Sequence, residues 1–233
     1  MPAGSFTALL GPSGCGKSTL LRTVNRLVVP SSGTVTIDGR DVASFEPTAL
    51  RRSIGYVIQA VGLFAHMTAA QNIAIVPELL HWDAQRIAQR VDELLEMVAL
   101  EPARYRGRYP RELSGGEQQR VGVARAIAAE PHVLLMDEPF GAVDAIARRS
   151  LQDEMLRIVR TLRTTVLFVT HDVEEALRLA DRIAVMRDGK LVQYAPAPEM
   201  LGSPANAYVA QLFALDEELQ RFDGMRAGLA RGS

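Results

Sequence analysis

The sequence predicts an α/β fold with a mainly parallel sheet, and three observations support this prediction. Short apolar segments recur along the chain, at residues 6–10, 133–136, 165–169 and 183–186. Segments in which apolar residues recur at helical spacing lie between them. The composition, 48% hydrophobic and 23% charged residues in a chain of 233, is that of a globular protein with a sizeable core. Strands that alternate with helices favour parallel pairing.

In the first half of the chain, strands are predicted at 6–10, 35–37 and 54–58, and a helix is predicted at 19–27. The segment 35–37 alternates in polarity and is followed by an Asp-Gly turn signal. Farther on, apolar residues at helical spacing predict a longer helix, which Asp83 caps and Pro102 ends. This order places a strand, a glycine-rich loop and a helix at the start of the fold.

In the second half, a helix is predicted at 117–129, and strands at 133–136, 165–169 and 183–186. The strand at 133–136 is apolar throughout, as expected for a strand buried on both faces. Residues 187–190 form a turn signal that leads into a hairpin strand at 191–194.

The domain organisation follows from this order of elements. Residues 1–233 are predicted to form a single domain, with an α/β core made of 1–61 and 126–205. The helix-rich region 62–125 is interpreted as an insertion into that core, and 206–233 as a short C-terminal tail.

Charge and cysteine content exclude several classes of protein. The chain has 26 basic and 27 acidic residues, a net charge of -1, and so lacks the dominant positive charge of many nucleic-acid-binding proteins. A single cysteine excludes a disulfide framework and a cysteine-based zinc site. No apolar run is long enough to cross a bilayer, and the N-terminus does not have the pattern of an export signal. We therefore expect a soluble, cytosolic chain.

Residues 11–18, GPSGCGKS, match the phosphate-binding loop pattern G-x-x-x-x-G-K-[ST]. Its glycines let backbone amides converge on phosphate oxygens, and the helix that follows adds its positive N-terminal dipole. Lys17 is expected to contact the β- and γ-phosphates, and the Ser18 hydroxyl to bind Mg²⁺. The alternative, a chance glycine-rich turn, is disfavoured by the strand before the loop and the helix after it. The candidate nucleotide-binding residues of this segment are Gly11, Pro12, Ser13, Gly14, Cys15, Gly16, Lys17, Ser18 and Thr19.

Two acidic residues, Asp137 and Glu138, directly follow the apolar strand at 133–136. A buried strand delivers Asp137 to the carboxyl edge of the sheet, where its carboxylate can hold Mg²⁺. Glu138, one residue later, can polarise an attacking water. Alone, such a pair is often only a strand end, but together with the phosphate-binding loop it indicates a nucleotide-hydrolysing site.

A third motif, LSGGEQQR, occupies residues 113–120. Ser114, Gly115 and Gly116 directly precede a predicted helix and form a second anion-binding helix N-terminus. The structural alternative is a capped helix, with Ser114 as the cap and Glu117 as its partner three residues later, and we expect that capping box as well. The octet resembles the signature sequence of ATP-binding cassette (ABC) proteins.

With that octet, the chain resembles an ABC ATPase from Phe6 to about residue 205. Gln59 matches the Q-loop glutamine, Asp144 matches the D-loop aspartate and His171 matches the switch histidine of the family. Taken alone, His171 is more simply a structural histidine at a strand end, but its order and spacing relative to the other motifs favour the functional interpretation. The resemblance implies a P-loop NTPase fold with an inserted α-helical subdomain.

The resemblance also implies a reaction, the hydrolysis of ATP with Mg²⁺. Ser18, Gln59 and Asp137 would bind the metal ion. Glu138 would be the general base, and His171 would contact the γ-phosphate. Gln59 would in addition link the metal and the attacking water to the helical insertion.

The partners that the resemblance implies are other protein chains. Two copies would meet head to tail, so that Ser114, Gly115 and Gly116 of one copy close on ATP held by the other, and Asp144 would help join the two sites. Further partners would be transmembrane permease subunits and, through them, an extracytoplasmic solute-binding protein. The chain would then be cytoplasmic and peripheral on the inner face of the membrane, with no nucleic-acid partner.

Three classes of cassette protein share these motifs: importer ATPases, exporter ATPases, and cassette proteins that act on nucleic acids or ribosomes. The last class usually brings paired cassettes, zinc cysteines, a coiled coil or a basic face, none of which is visible in the sequence. Segments 62–68 and 71–75 look like the importer pattern. Segments similar to the quaternary-amine osmoprotectant group, which imports glycine betaine, choline or carnitine, are 25–28, 54–59, 77–83, 105–110 and 187–194. Importers of amino acids such as methionine, of phosphate or of sulfonates remain alternatives, because the ATPase subunit does not touch the solute.

Two departures from the family pattern give further expectations. Some osmoprotectant ATPases carry regulatory CBS domains after the cassette, and the 28 residues after Ala205 are too few for them. Cassettes normally open with two strands and an aromatic residue that stacks on adenine, whereas ten residues precede Gly11. We therefore expect adenine to be bound without that stacking partner, or the true start to lie upstream.

Overall fold

The structure is a computed structural model that describes residues 1–59, 62–141, 143 and 145–214. Its strands are β1 (Phe6–Leu10), β2 (Thr36–Ile37), β3 (Arg40–Asp41), β4 (Ile54–Val57), β5 (Val133–Asp137), β6 (Thr165–Thr170), β7 (Arg182–Arg187) and β8 (Lys190–Ala195). Its α-helices are α1 (Lys17–Val24), α2 (Pro47–Ser53), α3 (Ala69–Leu79), α4 (Ala84–Met97), α5 (Pro102–Tyr105), α6 (Gly115–Ile127), α7 (Ala145–Leu162), α8 (Val173–Leu179) and α9 (Ala197–Gly202). Residues 207–214 are also helical.

The described residues form two compact units. The first unit contains residues 1–5 and the described part of 18–169, and the second contains residues 6–17 and 170–214. The first unit therefore holds α1 except Lys17 and the elements from β2 to β6 except Thr170, and the second holds β1 and every element from α8 to α9.

In the first unit, β4, β5 and β6 are neighbouring parallel strands, as the apolar segments predicted. Leu134, Leu135 and Met136 of β5 are fully buried, which a strand covered on both faces requires. Helix α6 packs beside β4, where a Cβ at Gly55 would overlap the carbonyl oxygen of Ala126. Glycine at position 55 thus lets the helix lie directly on the strand.

Helices α3, α4 and α6 pack against one another within the first unit, and a side chain caps the start of each. Asp83 caps α4 by accepting hydrogen bonds from the amides of Gln85 and Arg86. Thr68 and Gln71 form a capping box at the start of α3. Buried Asn72 then binds the preceding loop, since its side chain accepts from the amide of Phe64 and donates to the Phe64 carbonyl.

In the second unit, β1 pairs in parallel with β7, and β7 pairs with β8 as an antiparallel hairpin. The hairpin and its turn at 188–189 agree with the sequence prediction. All five residues of β1 are buried. The side chain of Asp181 accepts a hydrogen bond from the amide of Phe6, which fixes the start of β1 beside β7.

The end of the helix that begins after Asp83 differs from the prediction. Helix α4 ends at Met97, before a residue with positive φ at Ala99, rather than continuing toward Pro102. Pro102 instead begins α5, because a helix tolerates proline in its first turn. In the part of the chain that the structure describes, no helix is both long and apolar enough to span a membrane.

Candidate nucleotide-binding site

The glycine-rich loop after β1 is packed closely against the hairpin strand β7. A Cβ at Gly11 would overlap the carbonyl oxygen of Met186 and would lie 2.9 Å from Sγ of Cys15. The carbonyl oxygen of Cys15 accepts a hydrogen bond of 3.2 Å from the amide of Gly189. Gly16 has a φ of 98°, a left-handed conformation that favours glycine. The two glycines of the pattern therefore serve a close approach and a turn, respectively.

Lys17 ends this loop, and its side chain turns back into it. The Lys17 ammonium group donates hydrogen bonds to the carbonyl oxygens of Gly11, at 2.7 Å, and Pro12, at 2.9 Å. Only 5% of Lys17 is exposed, whereas Pro12, Ser13 and Gly14 at the tip of the loop are exposed. The loop therefore holds a buried positive charge beneath an accessible tip, as a binder of phosphate groups requires.

Asp137, the last residue of β5, is bound to the serine that follows Lys17. The Ser18 hydroxyl donates a hydrogen bond of 2.7 Å to Oδ1 of Asp137, which is 2% exposed. Nη2 of Arg22 lies 3.5 Å from Oδ2 of the same carboxylate. A hydroxyl and a carboxylate are the hard oxygen ligands that Mg²⁺ prefers, so this pair fits a magnesium ion.

Glu138 and Gln59 meet beyond the ends of two neighbouring strands. Nε2 of Gln59 donates a hydrogen bond of 3.0 Å to Oε2 of Glu138, although the two residues are 79 positions apart. The contact follows from the register, in which Val57 of β4 is paired with Met136 of β5. Glu138 has a φ of 46°, and its amide donates to the carbonyl oxygen of Val169. A positive φ at a non-glycine residue is uncommon and is often found at functional sites.

The signature segment is held by a capping box and by a tyrosine. The Ser114 hydroxyl accepts from the amide of Glu117 at 3.3 Å, and Oε2 of Glu117 accepts from the amide of Ser114 at 2.7 Å. Oε1 of Glu117 accepts a hydrogen bond of 2.6 Å from the hydroxyl of Tyr105. These bonds, led by that from Tyr105, lower the pKa of Glu117 below its ordinary value. Gly115 is exposed and Gly116 half-buried, at the start of α6.

His171 lies in the second unit, between Thr170 and Asp172, and the side chains of both neighbours form hydrogen bonds. The Thr170 hydroxyl donates to the buried carboxylate of Glu175 at 2.7 Å and accepts from the amide of Asp172 at 3.0 Å. Asp172 caps α8 by accepting from the amide of Glu175. The His171 side chain is exposed at this strand-to-helix turn. The remaining predicted site residue, Asp144, lies outside the described residues.

The structure thus brings together two pairs of predicted residues, Ser18 with Asp137 and Gln59 with Glu138. Sequence reasoning missed Arg22, which pairs with Asp137, and Tyr105, which binds Glu117 of the signature segment. It also missed Tyr56, which interacts with Arg22. For Arg22, the signal was its position four residues after Ser18, one helical turn along the same face of α1. For the tyrosines, no signal in the sequence marked the partner.

This chain shares three features with P-loop nucleoside triphosphatases. They are a buried strand, a glycine-rich loop that ends in Lys-Ser, and an aspartate at a strand end that binds that serine. The chain is a protein of this class. More narrowly, it belongs to the ABC transporter family, whose profile matches residues 1–141. The resemblance predicted from the signature octet is confirmed.

Curated relatives extend this likeness over nearly the whole chain. The osmoprotectant import ATP-binding protein OsmV of Salmonella typhimurium is 51% identical over 98% of this chain and 60% of its own length. The glycine betaine/carnitine/choline transport ATP-binding protein OpuCA of Bacillus subtilis is 51% identical over 93% of this chain and 57% of its own length. The glycine betaine uptake system ATP-binding protein YehX of Escherichia coli is 52% identical over 92% of this chain and 69% of its own length. The chain therefore spans less than two thirds of the length of the first two relatives, and the predicted likeness to the osmoprotectant group is confirmed.

Solved structures confirm the predicted fold class. The dimeric structure of the ABC transporter cassette MJ0796 superposes with a TM-score of 0.76 at 33% identity, over 84% of this chain and 87% of that chain. A second dimeric structure of MJ0796, in a post-hydrolysis state bound to ADP and phosphate, superposes with a TM-score of 0.75 at 32% identity over the same fractions. The mainly parallel α/β fold is thus that of an ABC ATPase.

Proposed function

We propose that this chain is the ATP-hydrolysing subunit of an importer for a quaternary-amine compatible solute such as glycine betaine, choline or carnitine. The observation that carries the hydrolytic part is the hydrogen bond between Gln59 and Glu138, because it joins two motifs that are far apart in sequence. The solute class is supported by relatives that are 51–52% identical and are named for osmoprotectant or glycine betaine transport.

In this proposal the loop from Gly11 to Thr19 binds the triphosphate of ATP. Its backbone amides and the Lys17 ammonium group hold the phosphate oxygens. Ser18, Asp137 and Gln59 bind Mg²⁺, which neutralises the charge that develops on the phosphates. The buried Lys17 and the oxygen pair of Ser18 and Asp137 support this assignment.

Glu138 accepts the proton of the attacking water in the proposed hydrolysis step. Its side chain is half-buried and hydrogen bonded to Gln59, and its backbone is held to Val169, so its carboxylate is constrained from both ends. His171, at a turn fixed by Thr170 and Asp172, contacts the γ-phosphate. A positioned base of this kind typically contributes about a hundredfold or more to the rate.

We also propose that the functional unit contains two copies of the chain. Ser114, Gly115 and Gly116 of one copy bind the nucleotide held by the other, and Asp144 joins the two sites. The exposed start of α6, with amides available at a helix N-terminus, supports a role in binding phosphate. The dimeric MJ0796 cassettes support the two-copy arrangement.

The proposed domain is one ABC ATPase domain, in which 1–61 and 126–205 form the nucleotide-binding core, 62–125 the helical subdomain and 206–233 a tail. Its further partners are transmembrane permease subunits and, through them, an extracytoplasmic solute-binding protein. The chain would lie in the cytoplasm, peripheral on the inner face of the membrane, without a nucleic-acid partner. The alternative is another small-solute importer, because relatives named for sulfate/thiosulfate import are 46–48% identical.

The test is solute uptake by cells that carry Glu138→Gln in place of the native residue. Uptake of radiolabelled glycine betaine and choline at high osmolality should fall to background, while uptake of labelled sulfate stays unchanged. Glu130→Gln is the matched control, because Glu130 is exposed and pairs only with exposed Arg86 among its described ion pairs. Loss of sulfate uptake with normal betaine and choline uptake would assign the chain to the alternative importer class, and normal uptake of all three would contradict the importer function.

A further inference from the structure

Two side chains of one helix approach the two oxygens of a single buried carboxylate. Ser18 and Arg22 are four residues apart in α1 and therefore lie on the same helix face. Ser18 donates to Oδ1 of Asp137 at 2.7 Å, and the Arg22 guanidinium lies 3.5 Å from Oδ2. Both carboxylate oxygens of Asp137 thus have a partner, and Oδ1 is directed toward Ser18, with which it would bind a metal ion.

A third residue, Tyr56, lies on the strand next to β5, on the same face of the sheet as Asp137. The interaction of the Arg22 guanidinium with Tyr56 is the main cause that raises the pKa of Arg22 above its ordinary value. Tyr56 of β4 is paired with Leu135 of β5, and Asp137 is two residues farther along β5. Since side chains two residues apart in a strand share a face, Tyr56 and Asp137 reach Arg22 from the same side of the sheet.

Because the carboxylate of Asp137 is buried, it needs a nearby positive charge. The Asp137 side chain is 3% exposed and the Arg22 side chain 49% exposed, so the arginine supplies a hydrated counter-charge to a buried anion. A buried carboxylate without such a partner is strongly destabilised. Residues that orient a metal ligand without touching the metal typically change metal affinity by about 10–100-fold.

We propose that Arg22 is a positioning residue that orients Asp137 for the binding of Mg²⁺ with ATP, and that Tyr56 on the neighbouring strand supports it in this role. The proposal rests on the function proposed above, in which Ser18 and Asp137 hold the metal ion. Arg22 acts through the carboxylate, so its loss should weaken the magnesium-dependent part of nucleotide binding and leave the metal-independent part intact.

The experiment titrates MgCl₂ into the protein with a ribose-labelled fluorescent ATP analogue, and repeats the nucleotide titration in EDTA. For Arg22→Met we expect the half-saturating Mg²⁺ concentration to rise about tenfold or more. Its affinity for the analogue in EDTA should stay within about twofold of the parent, because Lys17 and the loop amides are untouched. Arg22→Lys retains the charge and should recover most of the magnesium affinity, whereas Tyr56→Phe should raise the half-saturating concentration by about threefold.

Arg86→Met is the matched control, because the Arg86–Glu130 ion pair has the same 3.5 Å separation and lies away from Asp137 on exposed side chains. An unchanged magnesium titration in Arg22→Met, or an equal loss of affinity in EDTA, would overturn the proposal. If Arg22→Met does not fold by circular dichroism, Tyr56→Phe with a parent-like magnesium titration would overturn it too. Nucleotide binding by the parent that does not depend on Mg²⁺ would overturn the metal assignment itself, an outcome that differs from a defect confined to Arg22 variants.

Discussion

The hydroxyl of Tyr105 donates a hydrogen bond of 2.6 Å to Oε1 of Glu117, whose other oxygen binds the amide of Ser114. Glu117 is therefore the link between the helical region before the signature segment and the cap of α6. The hydrogen bond to Glu117 is also the main cause of the raised pKa of Tyr105. The guanidinium groups of Arg104 and Arg108 lie near the Tyr105 ring, 5.3 Å and 5.0 Å from its centre.

As pH falls from 7 to 3, the Tyr105→Phe variant should lose less stability than the parent. The lowered pKa of folded Glu117 means that the ionised carboxylate stabilises the fold above its unfolded pKa, and that this stabilisation is lost as pH falls through the folded value. Removal of the Tyr105 hydroxyl takes away the first cause of the shift. The difference in melting temperature between parent and variant should therefore be largest near pH 7 and shrink toward pH 3.

Thermal unfolding followed by circular dichroism across this pH range is the measurement. Tyr109→Phe, four residues farther on, is the control and should behave as the parent at every pH. A difference between parent and Tyr105→Phe that does not change with pH would show that the hydroxyl acts through packing alone.

Gly11→Ala should weaken nucleotide binding and lower the melting temperature. The added Cβ would overlap the Met186 carbonyl oxygen and crowd Sγ of Cys15, so the loop must move away from β7. Such overpacking typically costs about 1–3 kcal/mol. Gly107→Ala is the matched control, because a Cβ at that glycine meets nothing within 4 Å. Parent-like binding of the fluorescent ATP analogue by Gly11→Ala would show that the close approach is not required.

The sequence predicted those parts of the site that depend on local patterns. A strand followed by a glycine-rich loop, or an apolar strand that ends in Asp137 and Glu138, has a fixed spacing, and the structure follows it. The cap at Ser114 was also predictable, because its partner Glu117 is only three residues away. Local rules are sufficient where both partners lie within one helical turn.

Contacts between distant segments were less predictable. The Arg22–Asp137 ion pair depends on which face of α1 meets β5, and the Gln59–Glu138 hydrogen bond depends on the register of β4 and β5. The spacing of residues within one segment predicts neither which face of a helix meets a strand nor how two strands are paired. The same holds for the end of α4, where the sequence showed a proline but not that it would begin a separate helix.

Cys15 should react slowly with maleimides, and its adduct should block nucleotide binding. Only 6% of the residue is exposed, and its Sγ lies 4.0 Å from the Lys17 ammonium nitrogen, inside the phosphate-binding loop. A bulky group on that sulfur would displace the loop, and bound ATP should in turn protect the thiol. The measurement is labelling followed by mass spectrometry, with and without ATP, and then binding of the fluorescent analogue. Full nucleotide binding after quantitative labelling would show that Cys15 is only a small spacer.

Glu138→Gln should keep ATP binding and nearly abolish its hydrolysis. Glutamine has the size of glutamate and can still accept the hydrogen bond from Gln59 through its amide oxygen, so the contact of 3.0 Å can persist. It cannot accept a proton from water at neutral pH, because its amide is not basic. Turnover should therefore fall by about a hundredfold or more. With hydrolysis blocked, the two-copy state with bound ATP should accumulate.

Steady-state phosphate release measures the turnover, and gel filtration with and without ATP measures the two-copy state. Glu130→Gln, which neutralises an exposed carboxylate, should keep parent turnover and should not accumulate a dimer. The strained backbone at position 138 is unchanged by the substitution, since glutamine must adopt the same φ of 46°. A turnover of Glu138→Gln within about threefold of the parent would therefore contradict the assignment of Glu138 as general base, because such a group contributes far more than that.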